Sequence, residues 1–560
     1  ALPIYPAEGA RFTVAYRDGG ESRYALAAGG FDEDRPDPDA WPAYDHEVLP
    51  PFRIPEWAQT AVYYQIFPER FRNGSPSNDQ DFAEPYYDGR TELPPSGKTN
   101  GEYFHFVEDW NDVDGLARSP YRTDGKPDYF SFYGGDIQGV HEKLDYLAEL
   151  GVTVIYFNPV TEGRSNHRYD PCDYSGLDPH LATEEEFRAF TADALDKGIR
   201  IIVDMAYNHT GDCHFAFQDV VENGRQSEYW DWYEFKKEMP TWPLPAGEEA
   251  IDYYDCWWGF GLHPNLNFDL SRPNAQEMTA ASIEQAEVNW PVVNHLLDSV
   301  DYWMGDLGVS GFRLDVPNEV PFWFWGLFRE RCREVNPDHV LIGEIWGDAG
   351  QWIHPDVFDA VMNYKYFKDP VVKWIGQKQG NAAVFDRELA PGRTRYPLQA
   401  VRSQMNLIDS HDTARFLNIS RDVRRLQLAT TFAMTYVGSP HIYYGNEVAL
   451  DGGRDPDCRR TFPWDQIEVP AREQTLEHYR KVTNLRHEYD ALVLGDFRTV
   501  YAQGDVYSYI RQHGDQRVLV ALNNGVTDAK VTLPVGNVGV ADGTGMRQLL
   551  GDGSASGVTR

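Results

Sequence analysis

Short apolar runs that read as strands alternate with helix-like segments along most of this chain, and no other feature of the sequence restricts the fold as strongly. The strand-like runs occupy residues 61–67, 152–160, 199–209, 311–316, 339–346, 360–364, 403–412 and 439–447. One helix-like segment, 183–198, begins with a capping box of Thr183 and Glu186 and ends at Gly198. Strands that alternate with helices pair in parallel, so eight of them predict an α/β fold, a (β/α)8 TIM barrel.

The alternation also predicts where the barrel begins, is interrupted and ends. Residues 1–57 predict a short β segment and a Pro- and Asp-rich linker, and residues 58–486 predict the barrel. Two long stretches rich in Trp, Tyr, Gly, Pro and Asp, 75–133 and 210–290, interrupt it. The second predicts a domain of about 210–290 inserted after the third strand. Short alternating strands from 487 to 560 predict a C-terminal antiparallel β-sandwich.

The charge of the chain limits its partners. The formal net charge of −36 would be repelled by nucleic acid and by an anionic membrane surface, so we expect neither as a partner. No apolar run reaches the roughly 18 residues that a membrane span needs. A neutral substrate fits this charge. Lysine is scarce, with 12 residues against 39 arginines, which is compatible with a high-salt source, although ordinary solubility explains the acidity as well.

The five cysteines do not have the spacing of a disulfide framework. They are Cys172, Cys213, Cys256, Cys332 and Cys458, and none forms a CxxC pair. An odd number at scattered positions argues against a disulfide scaffold and against a cysteine-rich zinc site. Residue 1 is Ala, which leaves open whether a signal peptide or an initiator Met has been removed. A secreted or periplasmic location is favoured over a cytoplasmic one.

Polar residues follow the apolar runs at several strand ends. They are Asp204, Asn208, His209, Arg313, Asp315, Glu344, His411 and Asp412. Because the carboxyl ends of the strands of a barrel share one mouth, we expect these side chains to meet there. A single Asp at a strand end is commonly a cap or a surface charge, but three acids with an Arg and two His in this order favour a functional site.

These residues stand within motifs that resemble a known family. The segments 204–209 (DMAYNH), 311–319 (GFRLDVPNE), 343–346 (GEIW) and 407–412 (LIDSHD) resemble the α-amylase family of glycoside hydrolases. The segments GGDIQGVHEKLDYLAELGV, SNHRYDPCDY, IYYGNE and DPDCRR are similar to its neopullulanase, cyclomaltodextrinase and amylopullulanase branch. The resemblance covers roughly residues 58 to 485. It implies retaining cleavage of α-1,4-glucosidic bonds in starch-type glucans, maltooligosaccharides or cyclic oligosaccharides, and it leaves open whether α-1,6-glucosidic bonds are cleaved as well.

The resemblance assigns a role to each site residue. Asp315 is the expected nucleophile, Glu344 the general acid/base and Asp412 the third carboxylate. The expected substrate-binding residues are Tyr169, His209, Arg313, His411, Asp455 and Arg459. Retention requires the two working carboxyls to lie about 5–5.5 Å apart. We expect Arg313 to lower the pKa of Asp315, and crowding and burial to raise the pKa of Glu344.

Some of these residues also have structural interpretations. Asp204 stands earlier on its strand and is expected to order its neighbours, while Asp455 and Arg459 could form a simple salt bridge. The aromatic cluster at 321–328 has helical spacing and is expected in a helix core. The cluster at 253–261 lies in the interrupting stretch and could shape outer sugar-binding subsites.

The resemblance also implies a structural calcium ion and no organic cofactor. The expected ligands are Asn73, Asn78, Asp79, Gly134 and Asp136, since calcium prefers oxygen ligands; an Asx-rich turn is the alternative. Two alternative functions stay open, an α-glucan transglycosylase or isomerase on the same scaffold and a non-catalytic carbohydrate-binding protein. The HPNLNFD run at 263–269 does not decide between starch, pullulan and cyclic substrates. The oligomeric state stays open between monomer and homodimer.

Overall fold

The computed structural model describes residues 52–81, 105–119, 125–245, 247–271, 282–541 and 543–550, together with the backbone of 13–18, 21–26 and 30–32. The chain divides into two compact units, Ala1–Phe52 and Arg53–Arg560. The first contains an antiparallel sheet of Thr13–Asp18, Glu21–Leu26 and Gly30–Asp32. The predicted Pro- and Asp-rich linker lies outside the described residues.

The second unit is built on a parallel barrel, which confirms the predicted fold. Its strands in chain order are β1 (Tyr63–Ile66), β2 (Val154–Phe157), β3 (Arg200–Met205), β4 (Gly311–Leu314), β5 (Val340–Gly343), β6 (Ala360–Val361), β7 (Met405–Asn406) and β8 (Ser439–Tyr443). Neighbouring strands pair in parallel from β1 to β6, and β8 pairs with both β7 and β1. A parallel bridge between Met362 and Met405 closes the ring.

Helices surround the barrel. The α-helices are Glu56–Gln59, Pro68–Phe71, Asp114–Ala117, Ile137–His141, Leu144–Leu150, Glu184–Asp196, Phe215–Asn223, Trp290–Val300, Phe322–Val335, Asp369–Val371, Ala382–Thr394, Leu398–Ser403, Phe416–Ser420, Val423–Thr435, Pro470–Glu488 and Asp490–Val493. The capping box of Thr183 and Glu186 is present as predicted. Phe324, Trp325 and Phe328 are buried in their helix, which confirms the core interpretation of that aromatic cluster.

All eight predicted runs extend beyond the strands that they contain, and two of them contain only a two-residue strand. The run 403–412 contains only the two residues of β7, and the run 360–364 only the two of β6. The loop after β7 is held instead by its own polar contacts: Asp409 accepts hydrogen bonds from the backbone N–H of Phe416 at 2.6 Å and from Asn446 at 2.6 Å. A buried, bonded carboxylate stabilises this loop in place of a longer strand.

The predicted insertion follows β3. Its described residues form antiparallel bridges that include His209 with Asn265, Tyr233 with Leu266, and Phe235 with Tyr254. The C-terminal antiparallel sheet is also confirmed, with strands Asp496–Gln503, Val506–His513 and Gln516–Asn523. Within the described part of the chain, no helix is long and apolar enough to cross a membrane.

Candidate active site

Arg313 lies at the centre of the site, fully buried on β4. Its register partner on β3 is Asp204, whose carboxylate oxygens accept hydrogen bonds from Nη1 at 2.8 and 2.9 Å. The same Nη1 donates to Oδ1 of Asp315 at 2.9 Å. Nη2 lies 3.1 Å from Oε2 of Glu344, an ion-pair contact without hydrogen-bond alignment. One guanidinium therefore contacts three carboxylates at the ends of three neighbouring strands.

The backbone fixes the positions of Asp315 and Glu344. The N–H of Asp315 donates to the carbonyl of Met205, and that of Glu344 donates to the carbonyl of Leu314, both at 2.9 Å. These bonds continue the parallel ladder one residue beyond β4 and β5. Both side chains are largely buried, with 13% of Asp315 and 6% of Glu344 exposed. The two predicted working carboxyls are thus neighbours at the barrel mouth.

The protein stabilises the two carboxyls differently. Oε2 of Glu344 accepts from the N–H of Val316 at 3.1 Å, and Oε1 accepts from the indole N–H of Trp346 at 2.9 Å. Burial raises the pKa of Asp315 well above its ordinary value, the charge of Glu344 raises it further, and Arg313 opposes both. Burial is the largest of these influences, so the net pKa of Asp315 is raised although Arg313 donates to it at 2.9 Å.

Arg313 lowers the pKa of Asp315 as expected, but burial and the charge of Glu344 raise this pKa by more, so the net shift is upward. The physical reason is that the guanidinium is shared. Asp204 takes two of its hydrogen bonds and Glu344 an ion-pair contact, so only part of its charge stabilises ionised Asp315. Desolvation disfavours a buried carboxylate and is the largest influence on this group.

Asp412 reaches the site from the loop after β7. Its Oδ1 lies 3.2 Å from Nε2 of His411 and accepts from Nη2 of Arg459 at 3.4 Å. Nη1 of Arg459 pairs with Asp455 at 2.9 Å. Burial and the charge of Glu344 raise the pKa of Asp412 to about 7, whereas Arg459 and Arg313 lower it. Asp455 and Arg459 do form a salt bridge, but this salt bridge adjoins Asp412.

Tyr169 connects Asp204 with His411. Its hydroxyl donates to Oδ2 of Asp204 at 2.7 Å and lies 2.7 Å from Nε2 of His411. The Nε2 amide of Gln65 donates to Nδ1 of His411 at 2.7 Å, which leaves the imidazole proton on Nε2. Burial lowers the pKa of His411 well below its ordinary value, so the ring is neutral. His411 therefore donates from Nε2 towards Tyr169 and Asp412.

His209 completes the set of predicted substrate-binding residues. Its Nε2 lies 2.8 Å from the backbone carbonyl of Tyr169, to which it donates. Burial lowers the pKa of His209 to about 3, so this imidazole is also neutral. The ring stacks on Trp257 of the insertion, with 5.5 Å between ring centres. Asp204 is fully buried against Arg313, Tyr156 and Tyr169, in agreement with its predicted ordering role.

Sequence reasoning missed several residues beside the carboxyls. Trp346 bonds to Glu344 and stacks on Tyr364 with 3.9 Å between ring centres; its signal was its place directly after the GEI segment. Gln65 is a polar residue inside the apolar run YYQIF, which indicates a side chain that faces the barrel interior. Glu319 was part of a quoted motif, and it accepts hydrogen bonds from Asn208 at 3.4 Å and Trp258 at 3.2 Å.

A disulfide joins Cys172 and Cys213, which the cysteine spacing did not indicate. The two cysteines are 41 positions apart, and a hydrogen bond from Gly211 N to Pro171 O at 2.9 Å places their backbones side by side. Tertiary contact therefore forms this pair, and local spacing carried no signal for it. The disulfide links the segment that carries Tyr169 to the segment that carries His209.

Some of the predicted calcium ligands lie next to one another. Asn73 donates to both carboxylate oxygens of Asp79 at 2.9 Å. Gly134 packs so closely that an added Cβ would lie 2.3 Å from Oδ1 of Asp79. The Oδ1 atoms of Asn73 and Asn78 are buried without a hydrogen-bond partner. Unpaired buried oxygens beside a carboxylate fit a hard cation such as calcium.

Asp136 has a different role from the other four. Its carboxylate accepts hydrogen bonds from the backbone N–H groups of Gly74, Ser75 and Gly139 and caps the helix Ile137–His141. The remaining predicted metal ligands are the amide oxygens of Asn73 and Asn78, the carbonyl oxygen of Gly134 and one carboxylate, that of Asp79. Consistent with this, the described residues include no cluster of three or more His, Cys, Asp or Glu that could hold a metal.

Comparisons with known proteins agree with this architecture. The alpha-amylase family model, described as the alpha amylase catalytic domain, matches residues 65–495. The chain is 34% identical over 517 residues to cyclomaltodextrinase from Thermoanaerobacter pseudethanolicus, covering 92% of this chain and 79% of that protein. It is 38% identical over 476 residues to neopullulanase 2 from Thermoactinomyces vulgaris, covering 84% and 71%.

Solved structures give the same result. The cyclic α-maltosyl-(1→6)-maltose hydrolase from Arthrobacter globiformis matches with a TM-score of 0.69 at 30% identity, covering 84% of this chain and 92% of that chain. A cyclomaltodextrinase structure matches with a TM-score of 0.72 at 32% identity, covering 92% and 78%. The chain therefore belongs to the alpha-amylase family and is a glycoside hydrolase of the neopullulanase and cyclomaltodextrinase type.

Proposed function

We propose that this protein hydrolyses α-1,4-glucosidic bonds of maltooligosaccharides and cyclic α-glucans with retention of configuration. The observation that carries the proposal is the shared contact of Arg313 with Asp315 and Glu344 at the barrel mouth. Retention needs two neighbouring carboxyls that exchange acid and base roles, and one guanidinium keeps this pair together. The names of the relatives, which include cyclomaltodextrinase and neopullulanase, support this substrate class.

The first chemical step forms a glycosyl ester. A carboxylate oxygen of Asp315 attacks the anomeric carbon, and Glu344 donates its proton to the glycosidic oxygen as the bond to the leaving sugar breaks. Because burial raises the pKa of Asp315, its attacking carboxylate has to form as the substrate binds, and Arg313, which lowers this pKa, stabilises the ionised form.

The second step consumes the ester. Glu344, now a carboxylate, removes a proton from water, and the resulting oxygen bonds to the anomeric carbon while the bond to Asp315 breaks. Asp412 and His411 bind sugar hydroxyls on the nucleophile side, and the charge of Arg459 lowers the pKa of Asp412 and so favours its ionised form. Tyr169 lies half-buried between Asp204 and His411 and offers its ring to an apolar sugar face.

Products distinguish this proposal from its alternatives. We expect the protein to release new reducing ends from amylose, cyclodextrins and maltotriose, and the first anomer in the proton NMR spectrum to be α. Pullulan in the same series reports on α-1,6 bonds and on the α-1,4 bonds beside them. Longer oligosaccharides without new reducing ends would indicate a transferase, and initial release of the β-anomer would contradict retention.

We also propose that calcium binds Asn73, Asn78, Asp79 and the carbonyl of Gly134. The unpaired Oδ1 atoms of Asn73 and Asn78 support this site, and an ion there would tie the loop 73–79 to Gly134. Removal of calcium with a chelator is expected to lower the melting temperature, and readdition to restore it. In Asn78→Ala the chelator should have a smaller effect. An equal melting temperature with and without calcium would contradict the site.

A further inference from the structure

A buried histidine, His441, lies on β8 and contacts side chains of β1 and β2. It is 3% exposed, and its ring centre lies 6.4 Å from that of Tyr156, whose hydroxyl donates to Asp204. Burial lowers the pKa of His441 to about 3, so the ring is neutral and carries one proton. A neutral imidazole donates from one nitrogen only, and the hydrogen-bond partners of the ring decide which nitrogen that is.

The contact between His441 and Gln65 joins β8 to β1. Nε2 of His441 lies 3.1 Å from Oε1 of Gln65, and an amide oxygen can only accept hydrogen bonds. Gln65 is itself fully buried, so an unpaired oxygen there would be costly. With the amide in this orientation, the proton of His441 lies on Nε2. The contacts of the candidate site determine that orientation.

The direction of the hydrogen bonds around Gln65 follows from Asp204. Both carboxylate oxygens of Asp204 accept from Arg313, and Oδ2 also accepts from the hydroxyl of Tyr169 at 2.7 Å. That hydroxyl has a single proton, so its oxygen can only accept from its other neighbours. These neighbours are Nδ2 of Asn158 at 2.9 Å and Nε2 of His411 at 2.7 Å. Both nitrogens therefore carry a proton that points to Tyr169.

The same constraint fixes the amide of Gln65. Because Nδ2 of Asn158 donates to Tyr169, its Oδ1 accepts from Nε2 of Gln65 at 2.9 Å. Because His411 carries its proton on Nε2, its Nδ1 accepts from the same amide nitrogen at 2.7 Å. The amide nitrogen of Gln65 therefore faces both residues, and its oxygen is left to accept from His441. The hydrogen bonds thus run in one direction, away from His441.

We propose that His441 is a positioning residue that fixes the tautomer of His411 through the amide of Gln65. This inference rests on the proposed function, in which Nε2–H of His411 donates to a sugar hydroxyl. Without its donor, the Gln65 oxygen would be buried and unpaired, and a half-turn of the amide would present this oxygen to Nδ1 of His411. The proton of His411 would then be favoured on Nδ1. Its bare Nε2 would face Asp412, 3.2 Å away, and the site would lose a donor.

The first experiment observes the tautomers directly. Nitrogen-15 NMR of the whole protein with labelled histidine distinguishes protonated from unprotonated ring nitrogens, and the signals lost in His411→Ala and in His441→Leu assign the two rings. In the parent enzyme we expect both rings to carry their proton on Nε2. In His441→Leu we expect His411 to show a mixture of both tautomers. A parent enzyme with either proton on Nδ1, or an unchanged His411 in His441→Leu, would overturn the proposal.

Kinetics test whether the tautomer matters for turnover. His441→Leu should lower kcat/KM for maltotriose about tenfold, the effect of roughly one lost hydrogen bond. His441→Gln keeps an N–H donor near the position of Nε2 and should stay within about threefold of the parent enzyme. If His441 acts through His411, adding His441→Leu to His411→Ala should lower kcat/KM by less than about twofold. A full further loss in that double variant, or no rescue by His441→Gln, would overturn the positioning role.

A second buried histidine provides the matched control. His339 directly precedes β5 and is 2% exposed, and its Nδ1 lies 2.6 Å from the carbonyl of Asn336. It stands at the opposite end of β5 from Glu344. His339→Leu also removes a buried imidazole, so it should lower the melting temperature but leave kcat/KM and the His411 tautomer unchanged. An equal fall of kcat/KM in His339→Leu and His441→Leu would overturn the specific role of His441.

The two kinds of experiment separate this inference from the proposed function. The tautomers are measured without substrate, so they test the role of His441 even if the parent enzyme fails to cleave maltotriose, a result that would remove the proposed function. Cleavage of maltotriose together with an unchanged His411 tautomer in His441→Leu would overturn this inference and leave retaining hydrolysis intact.

Discussion

Asp315 and Glu344 are neighbours of one arginine, yet the protein stabilises them unequally. Glu344 accepts hydrogen bonds from Val316 and Trp346, whereas Asp315 shares its donor Arg313 with Asp204. Burial consequently raises the pKa of Asp315. A group whose folded-state pKa is raised destabilises the fold when ionised, and this cost is absent below its ordinary pKa. Ionisation of the proposed nucleophile, Asp315, therefore lowers the stability of the folded protein.

Asp315→Asn should accordingly lose activity and gain stability. We expect kcat to fall by roughly 10³-fold or more, as for other covalent catalysts, and the melting temperature at neutral pH to rise by about a few degrees. The gain should shrink as the pH falls towards about 4, where the carboxyl of the parent enzyme is protonated in both states. Glu344→Gln should show a similar loss of kcat on small donors that need acid catalysis.

An exposed aspartate provides the matched control. Asp515 lies in a turn of the C-terminal sheet and is solvent exposed, so Asp515→Asn should change neither kcat nor the melting temperature. Near-normal turnover by Asp315→Asn, or a melting temperature well below that of the parent enzyme, would contradict the assigned role of the carboxyl.

The pH dependence should follow Asp412. Its pKa is raised to about 7, and Arg459 is one of the charges that lower it. If Asp412 must be ionised to accept sugar hydroxyls, kcat/KM falls as the pH drops below about 7. Arg459→Met removes a lowering charge, so this acidic limb should move to higher pH by about one unit. Arg460→Met, whose arginine pairs with Asp457, should leave the limb in place; an unmoved limb in Arg459→Met would contradict the account.

The sequence predicted which residues form the candidate site wherever the residue type and its position at a strand end were enough to identify them. Asp315, Glu344 and Arg313 follow or end short apolar runs, and parallel strands must bring such residues to one edge. The raised pKa of Asp315 was not predictable, because it depends on burial and on how Arg313 divides its contacts among three carboxylates. Such a division is a property of the folded site and has no counterpart in sequence spacing.

At the scale of elements, the site depends on how loops are joined to the barrel. Tyr169 and His209 lie in loops after β2 and β3, and the disulfide between Cys172 and Cys213 joins these loops. Strands and the helix Glu184–Asp196 were predictable from periodicity and a capping box. The short length of β7 and the disulfide were not predictable. The contacts of Asp409 determine where β7 ends, and tertiary proximity determines the cysteine pair.

Removal of this disulfide should loosen the loops. It closes a chain segment with a sequence separation of 41 residues, for which loop-closure entropy gives at most about 4 kcal/mol. The variant Cys172→Ser/Cys213→Ser should therefore melt at a lower temperature, and its KM should rise more than its kcat falls. A reductant should lower the melting temperature of the parent enzyme and leave that of the variant unchanged. Two free thiols at these positions in the oxidised protein would contradict the prediction.

At the scale of the whole molecule, the barrel collects residues that are far apart in the chain. Three neighbouring strand ends supply Asp204, Arg313 and Glu344, and the loop after β7 supplies Asp412. Arg313 pairs with Asp204 and Glu344, and Asp412 pairs with Arg459 beside them. The alternation of strands and helices predicted this barrel, and the family resemblance is confirmed. The net charge of −36 continues to predict a neutral substrate, and the lysine-poor composition fits a high-salt source and ordinary solubility equally.

The central claim is that Asp315 forms a covalent ester with the sugar during turnover. A 5-fluoro-glycosyl fluoride slows breakdown of that ester, so incubation of the whole protein followed by proteolysis and mass spectrometry identifies the labelled residue. We predict one sugar on the peptide that contains Asp315, with loss of activity in step with labelling. An inactivated enzyme that carries the sugar on any other residue would contradict the account.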